Sequence, residues 1–452
     1  MGPLDLSGTL VVNFNAPELN QLASALAREG CLARYVRPYV NKGRPWERAL
    51  AALPLAGRLY GSTFGRRTMP DRALAELTHE AGVLPDLLAA TAMRLRFMPD
   101  APRRRMTNAM IVALREAVAR AAAAHARDAQ CVVAYEGFAL PAFEACAARG
   151  GSARTVLNYP VAHHRVRRRE RLMEIERQPA FASTWPDFDD WPSGHEERLD
   201  EEIRLADIVL VGSTYASDSF VAEGIARQRM KVIPYGVDLA TFTPRPAHDE
   251  PARDPQRFRV IYAGQLTQRK GLSYLLDGYR LYARAGSELL LVGSAVGDPQ
   301  ALKPHAGLYR HLQHQTRGEL ARLYRSSDVF LFPTLVEGMP LVVLEAMACG
   351  LPVIVTANGP GDIVRDGIDG FVVPARDPEA IAGCLDALHR DPELRDAMGR
   401  RAAQRAAEFG WSAYTDKALG CLAALCGDAH SGTPPIARND DALTPTGASS
   451  AP

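Results

Sequence analysis

Short runs of Val, Ile and Leu, each the length of a strand, recur along the chain and are separated by longer amphipathic stretches. They fall at residues 9–14, 131–135, 155–158 and 207–211, then at 259–262, 288–292, 328–332, 352–356 and 370–373. A strand that is apolar throughout, rather than at every second residue, is buried on both faces. Helices must then cover both sides of its sheet, and alternation of strand and helix gives parallel βαβ units. The pattern predicts an α/β protein. At 452 residues the chain is too long for one such domain and suits two.

The pattern breaks once. Pro244, Pro246, Pro251 and Pro255 crowd into a polar stretch that no core element could accommodate. This predicts an N-terminal domain over 1–235, an exposed linker over 236–256 and a C-terminal domain over 257–410. Residues 411–426 read as a helix returning to the N-terminal domain. Residues 427–452 are rich in Gly, Ser, Thr, Pro and Asp and read as a disordered tail. Two doubly wound domains facing each other would leave a cleft at the carboxyl ends of their strands, where open α/β sheets bind ligands.

Charge and cysteine usage narrow the class. A formal net charge of +1 excludes a polycation that coats nucleic acid. Cys31, Cys131, Cys146, Cys349, Cys384, Cys421 and Cys426 form no C-x-x-C pair and no zinc-like cluster. Scattered thiols with apolar flanks suit a reducing compartment. The first residues lack the pattern of a cleaved leader, and no apolar run approaches the ~20 residues that span a bilayer. The expected location is the cytoplasm, with room for peripheral contact at the inner face of the membrane.

The chemistry concentrates after the run at 328–332. There the sequence reads PTLVEGMPLVVLEAMACGLPV over 333–353. Gly338 permits a tight turn, and Pro340 suits the first position of a helix that runs through Ala348 to a stop near Gly350. The free N–H groups of Gly338, Met339 and Leu341, beside Pro340, then form a helix N-terminus, a ready seat for an oxygen-rich or anionic ligand. Glu337 stands in the loop and Glu345 inside the helix. Two carboxylates are acceptors only, which suits the hydroxyl donors of a sugar ring and a ribose.

The spacing of Glu337 and Glu345 in this setting resembles the E-x7-E signature of retaining glycosyltransferase family 4. Residues 232–238 (VIPYGVD) are similar to the family's interdomain segment, and 264–271 (GQLTQRKG) to its first C-domain loop. Residues 358–362 and 366–371 resemble the turns that follow. The resemblance is strong over about 205–410 and thin before 150. It implies the GT-B fold, two Rossmann-like doubly wound domains facing across a cleft. It also implies roles. Glu345 would bind the ribose of a nucleotide, and Glu337 would sit beside the donor sugar. Backbone N–H groups of residues 338–341 would read sugar hydroxyls. Lys270 would neutralise the leaving diphosphate, since a fixed cation stabilises charge that grows as the bond breaks. Gly264, Gln265 and Arg269 complete the donor loop. Many members carry Arg where this chain has Gln265, which removes one charge that Arg269 could restore.

The N-terminal half offers less. After the run at 155–158, family resemblance implies that a His at the strand end approaches the donor sugar. His163 is the first choice and His164 the alternative. The first loop, 13–20, carries Asn15 and Ala16 where family members have a glycine pair. Arg165, Arg167, Arg168 and Arg169 could meet an anionic membrane or a phosphorylated lipid, or could simply pair with Glu170, Glu174 and Glu176 on an exposed helix. Trp185, Phe188 and Trp191, with Asp187, Asp189 and Asp190, read as a sugar platform or as a pinned loop. Asp187 and Asp189 also fit D-x-D, but a Trp/Pro-flanked loop is the wrong setting, so no metal or other cofactor is expected.

Taken together, the expectation is an enzyme, a retaining hexosyltransferase. It would use a UDP- or GDP-sugar and a glycan or lipid-linked acceptor, in bacterial surface polysaccharide or glycolipid assembly. The alternatives are a non-catalytic nucleotide-sugar binder or scaffold, and a nucleotide-sugar epimerase.

Overall fold

The computed structural model describes residues 6–54, 57, 60–61, 64–65, 67–69, 72–92, 100–150, 152–185, 194–244 and 257–430. The first sheet contains β1 (Thr9–Val12), β2 (Leu32–Arg37), β3 (Thr78–Glu80), β4 (Cys131–Tyr135), β5 (Arg154–Asn158), β6 (Ile208–Val211) and β7 (Met230–Val232). Their order is β3-β2-β1-β4-β5-β6-β7. Strand β1 pairs in parallel with β2 and β4, and β5 with β4 and β6, with Val11 opposite Val133. The second sheet contains β8 (Phe258–Ala263), β9 (Ser287–Val292), β10 (Arg310–Leu312), β11 (Val329–Phe332), β12 (Val353–Thr356) and β13 (Gly370–Val373). Its order is β10-β9-β8-β11-β12-β13, again parallel.

Both sheets are Rossmann-like and doubly wound. Each order reverses once, between β1 and β4 and between β8 and β11. In open α/β sheets the ligand crevice lies outside the carboxyl ends of the strands at such a reversal. In the second sheet this singles out the loops after β8 and β11. Their strands are held there by burial on both faces. All four residues of β11 are buried, and so are Val260, Ile261, Tyr262 and Ala263 of β8. Each large apolar side chain so removed from water contributes about 1.5–3 kcal/mol.

The chain divides into two compact units. One comprises Met1–Tyr159, Phe188–Leu210 and Thr415–Pro452; the other comprises Pro160–Asp187 and Val211–Tyr414. The second unit therefore holds β8–β13 and also a segment that leaves the first sheet after β5 and returns before β6.

Three expectations change in detail. The strands absent from the apolar pattern are β2, β3, β7 and β10. Of these, β3, β7 and β10 are edges, and edge strands are short and polar because one side faces no partner. The front of the expected linker is packed, not exposed. Phe242 and Val237 are buried, Val237 N–H donates to Phe409 O at 2.8 Å, and Asp238 accepts from Thr241 Oγ1 at 2.7 Å. Residues 245–256 of that linker lie outside the described residues. The C-terminal helix, Trp411–His430, passes Cys426, and residues 431–452 of the expected tail lie outside the described residues. Among the described residues no helix is long and apolar enough to cross a membrane.

Candidate nucleotide-sugar site

The loop after β8 turns at Gly264 into a short 3-10 helix, Gln268–Lys270. Thr267 caps it through its side-chain oxygen, and Gly271 ends it at φ 72°. That left-handed conformation favours glycine. A Cβ there would also stand 2.0 Å from Pro333 O. The turn is thus pressed onto the start of the loop after β11. Two bonds hold the loops together: Leu335 N–H to Arg269 O at 2.9 Å, and Thr334 Oγ1 to the same carbonyl at 3.2 Å. From the other side, Asn358 Nδ2 donates to Leu335 O at 2.8 Å.

This pinning brings three predicted site residues together. Arg269 Nη1 and Lys270 Nζ both donate to Glu337 Oε1. Arg269 Nη1 also reaches Val336 O at 3.0 Å. Lys270 Nζ stands 5.1 Å from the ring centroid of Phe332, the last residue of β11. Burial first, and then the adjacent Arg269 charge, push the Lys270 ammonium well below the ordinary lysine range. Burial and the Arg167 charge bring Arg269 down to about 10, so it still carries its charge at neutral pH. Glu337 is the counter-charge for Arg269, and its contact with Lys270 Nζ favours the charged ammonium there against the effect of burial. Such a cluster can exchange a carboxylate contact for a stronger anion such as a diphosphate.

Gly338 follows. A Cβ there would lie 1.8 Å from Pro160 O and 3.1 Å from Val161 Cα. Only glycine lets the loop lie this close to the 160–161 backbone, which belongs to the same unit. Met339 and Pro340 are buried. The helix is Leu341–Ala348, with Pro340 as N-cap. It starts one residue later than the sequence predicted, because Pro340 takes an extended ψ of 111°.

Glu345 lies on that helix and is nearly buried. Burial raises its carboxyl to about 7; the Arg317 charge opposes this and Asp238 adds to it. Arg317 Nη2 is 4.0 Å from Glu345 Oε1 and 3.7 Å from Asp238 Oδ2. Asp238 ends the segment 232–238 quoted above, so that segment does reach the surroundings of Glu345. Sequence reasoning did not identify Arg317; it opens a helix behind the Thr316 cap and carries no motif. Gln265 is exposed, and its carbonyl accepts from Tyr262 Oη at 2.6 Å.

His163 behaves differently from a surface histidine. It is fully buried and caps the helix His164–Arg177, its Nδ1 accepting from Arg165 N–H at 3.2 Å. The backbone N–H of His163 donates to Ser219 Oγ at 2.8 Å. Burial, then His164 and the nearby arginines, hold its pKa at about 2. The ring is therefore neutral, with its proton on Nε2, and that atom has no hydrogen-bond partner among the described residues. His164 stacks on it with centroids 4.2 Å apart.

The basic face is rearranged. Arg167 is buried, so it cannot belong to a membrane-facing patch; its charge is felt at Arg269 instead. Arg165 and Arg169 pair with Glu223, and Glu170 and Glu174 with Arg376, all outside the helix. Trp185 is buried and offers no open face to a sugar. Asp187, Phe188, Asp189, Asp190 and Trp191 lie outside the described residues. In the first loop Asn15 is exposed. It is Asn13 that shapes the turn, through Ala16 N–H at 2.8 Å and Tyr35 Oη at 2.7 Å.

Known proteins share this architecture. The D-inositol 3-phosphate glycosyltransferase of Paenarthrobacter aurescens (strain TC1) is 33% identical over 219 residues, 45% of this chain and 54% of that relative. The chain thus spans about half the length of the curated relatives it matches. The crystal structure of Anabaena Alr3699/HepE in complex with UDP and glucose is similar with a TM-score of 0.57 at 15% identity, over 92% of this chain and 99% of that one. Sucrose-phosphate synthase from Thermosynechococcus elongatus gives 0.58 at 18% identity, over 93% and 99%. At these identities the likeness establishes the fold: α/β, of the GT-B type, with two Rossmann-like domains. Residues 257–391, which contain Gly264, Arg269, Lys270, Glu337 and Glu345, match the family described as Glycosyl transferases group 1.

Proposed function

We propose that the protein is a retaining glycosyltransferase. It moves a hexosyl residue from a UDP- or GDP-sugar to a glycan or lipid-linked acceptor, in surface polysaccharide or glycolipid assembly. The observation that carries this reading is the convergence of Arg269 and Lys270 on Glu337, in the loop that starts the helix bearing Glu345. The cations receive the diphosphate, and the displaced Glu337 faces the sugar with the backbone of residues 338–341. Glu345 accepts from the ribose hydroxyls. We take 257–410 as the donor-binding domain, 1–235 as the acceptor side and 411–426 as a helix returning to it.

In the reaction the bond from the anomeric carbon to phosphate oxygen breaks, and a bond to the acceptor oxygen forms. The acceptor's proton passes to the leaving phosphate. Arg269 and Lys270 stabilise the charge that grows on that phosphate, and this reading assigns the task to them and not to a metal. His163 is neutral, so its role at the sugar is that of a hydrogen-bond donor and not an acid; its ring is fully buried, and donor binding must open a path to Nε2. We place the protein in the cytoplasm, with peripheral contact to anionic lipid through Arg165, Arg168 and Arg169, the members of the basic cluster that are not buried.

The test is release of nucleoside diphosphate from UDP-glucose and GDP-mannose, with EDTA present. It is run without acceptor and then with a panel that includes inositol 3-phosphate, named by the curated relatives. Slow release without acceptor that accelerates with one acceptor, and is lost in Lys270→Ala, supports the reading. Nucleotide binding with no release under any condition would make the protein a binder or scaffold.

A further inference from the structure

Two adjacent cations repel each other, so the Arg269–Lys270 turn needs a fixed support. Glu337 holds the side chains, but the turn itself is three residues long. Its first residue, Gln268, is buried and its polar groups are matched. The Gln268 backbone N–H donates to Thr184 Oγ1 at 2.9 Å. Its Nε2 donates to Glu174 Oε1 at 2.8 Å and to Ser273 Oγ at 2.6 Å. Its Oε1 accepts from Ser273 N–H at 3.0 Å.

Two of these partners, Glu174 and Thr184, come from the segment Pro160–Asp187, which the chain inserts between strands of the other sheet. Glu174 is itself buried and accepts from Arg376 Nε at 2.9 Å. Arg376 in turn reaches Glu170, one helical turn before Glu174. Arg376 stands at φ 66°, the only non-glycine residue with positive φ among the described residues. A bulky side chain there is uncommon and is retained where surroundings over-determine it. Here the two ion pairs to Glu170 and Glu174 do so. A buried carboxylate supported by a constrained arginine is an anchor of fixed position, and the amide of Gln268 hangs from it.

We propose that Glu174 is a positioning residue for the nucleoside diphosphate site, acting through Gln268 to set the turn that carries Arg269 and Lys270. The inference rests on the donor reading above. It extends that site to Glu174, in the segment Pro160–Asp187, for which family resemblance indicated a role only at His163 or His164. Glu174 touches no substrate in this account. Its removal displaces phosphate-binding cations and leaves the ribose contact at Glu345 in place.

The experiment is calorimetric titration of the full chain with UDP and with uridine, or with GDP and guanosine where those bind. It uses wild type, Glu174→Gln, Gln268→Glu and the double exchange. Glu174→Gln keeps the shape and replaces a charge-assisted bond with a neutral one, about half as strong, so diphosphate affinity should fall roughly tenfold. Nucleoside affinity should stay within about twofold, because the nucleoside carries no phosphate. Gln268→Glu sets two buried carboxylates together and should fall further. The double exchange restores an amide–carboxylate pair and should recover affinity relative to Gln268→Glu. Equal losses for diphosphate and nucleoside would reduce Glu174 to a structural role and overturn the inference, as would unchanged binding in Glu174→Gln. A double exchange no better than Gln268→Glu would also overturn it. If wild type binds no nucleoside diphosphate, the donor reading fails first and the inference goes with it.

Discussion

Replacing Glu345 with Gln should make the protein more stable and unable to hold a nucleotide. The Glu345 carboxyl sits at about 7 instead of 4.5, chiefly because burial disfavours its charge. At about 1.4 kcal/mol per pH unit, holding that group ionised in the folded state costs roughly 3 kcal/mol. A folded-state value above the unfolded one means that stability is greatest below pH 4.5 and declines as the pH rises through 7. Glutamine carries no charge at any of these pH values. The variant should therefore gain most at pH 8 and under about 1 kcal/mol at pH 5. At roughly 2–4 °C per kcal/mol for a domain of this size, and with part of the cost relieved by solvent and Arg317, the melting temperature at pH 8 should rise by about 5 °C. Differential scanning calorimetry at both pH values measures this. A millimolar nucleoside diphosphate should then raise the melting point of wild type, by the equivalent of about 2.7 kcal/mol at 100 times its dissociation constant, and leave the variant unmoved. A variant less stable than wild type at pH 8, or a gain independent of pH, would refute the reasoning. Under the proposed ribose-binding role, this buried charge is a place where stability is given up for function.

Other consequences can be measured on the same protein. Nucleotide affinity should rise with pH up to about 7 and then level, because ribose hydroxyls need Glu345 ionised; titration from pH 5.5 to 8.5 checks this, and a flat profile would contradict it. Lys270→Ala should lower turnover about 10²–10³-fold with a smaller change in KM; a steady-state assay that finds only KM altered would assign Lys270 to ground-state binding. Gly338→Ala forces a methyl to within 1.8 Å of Pro160 O, and displacement of the loop by about 1 Å should cost on the order of 100-fold in kcat/KM; near-normal kinetics would mean the loop is not held where the structure puts it. His163→Gln should change rate without altering the shape of the pH–rate profile between 5 and 9, because the ring does not titrate there; loss of a limb would restore an acid–base role.

The second sheet and its site were largely legible because they rest on local pattern. Apolar runs marked β8, β9, β11, β12 and β13, and one loop-plus-helix segment held both Glu337 and Glu345. Edges such as β3 and β10 were illegible, since THE and RHL carry no apolar signal. The helix His164–Arg177 was misread for a related reason. Its residues HRVRRRERLMEIER give almost no apolar stripe, so nothing shows that Arg167 and Glu174 turn inward while Arg168 and Arg169 turn out. The bond from Glu174 to Gln268 joins residues 94 apart, and only the fold brings them together. Arg317 and Asp238 meet near Glu345 in the same way.

The central claim is that Arg269, Lys270, Glu337 and Glu345 form a nucleotide-sugar donor site. A crystal structure of the protein with UDP-glucose or GDP-mannose tests it most directly. The expected complex has the diphosphate within hydrogen-bond distance of Arg269 and Lys270, ribose hydroxyls on Glu345, and Glu337 turned from the cations toward the sugar. A nucleotide bound elsewhere, with Glu337 still joined to both cations, would contradict it.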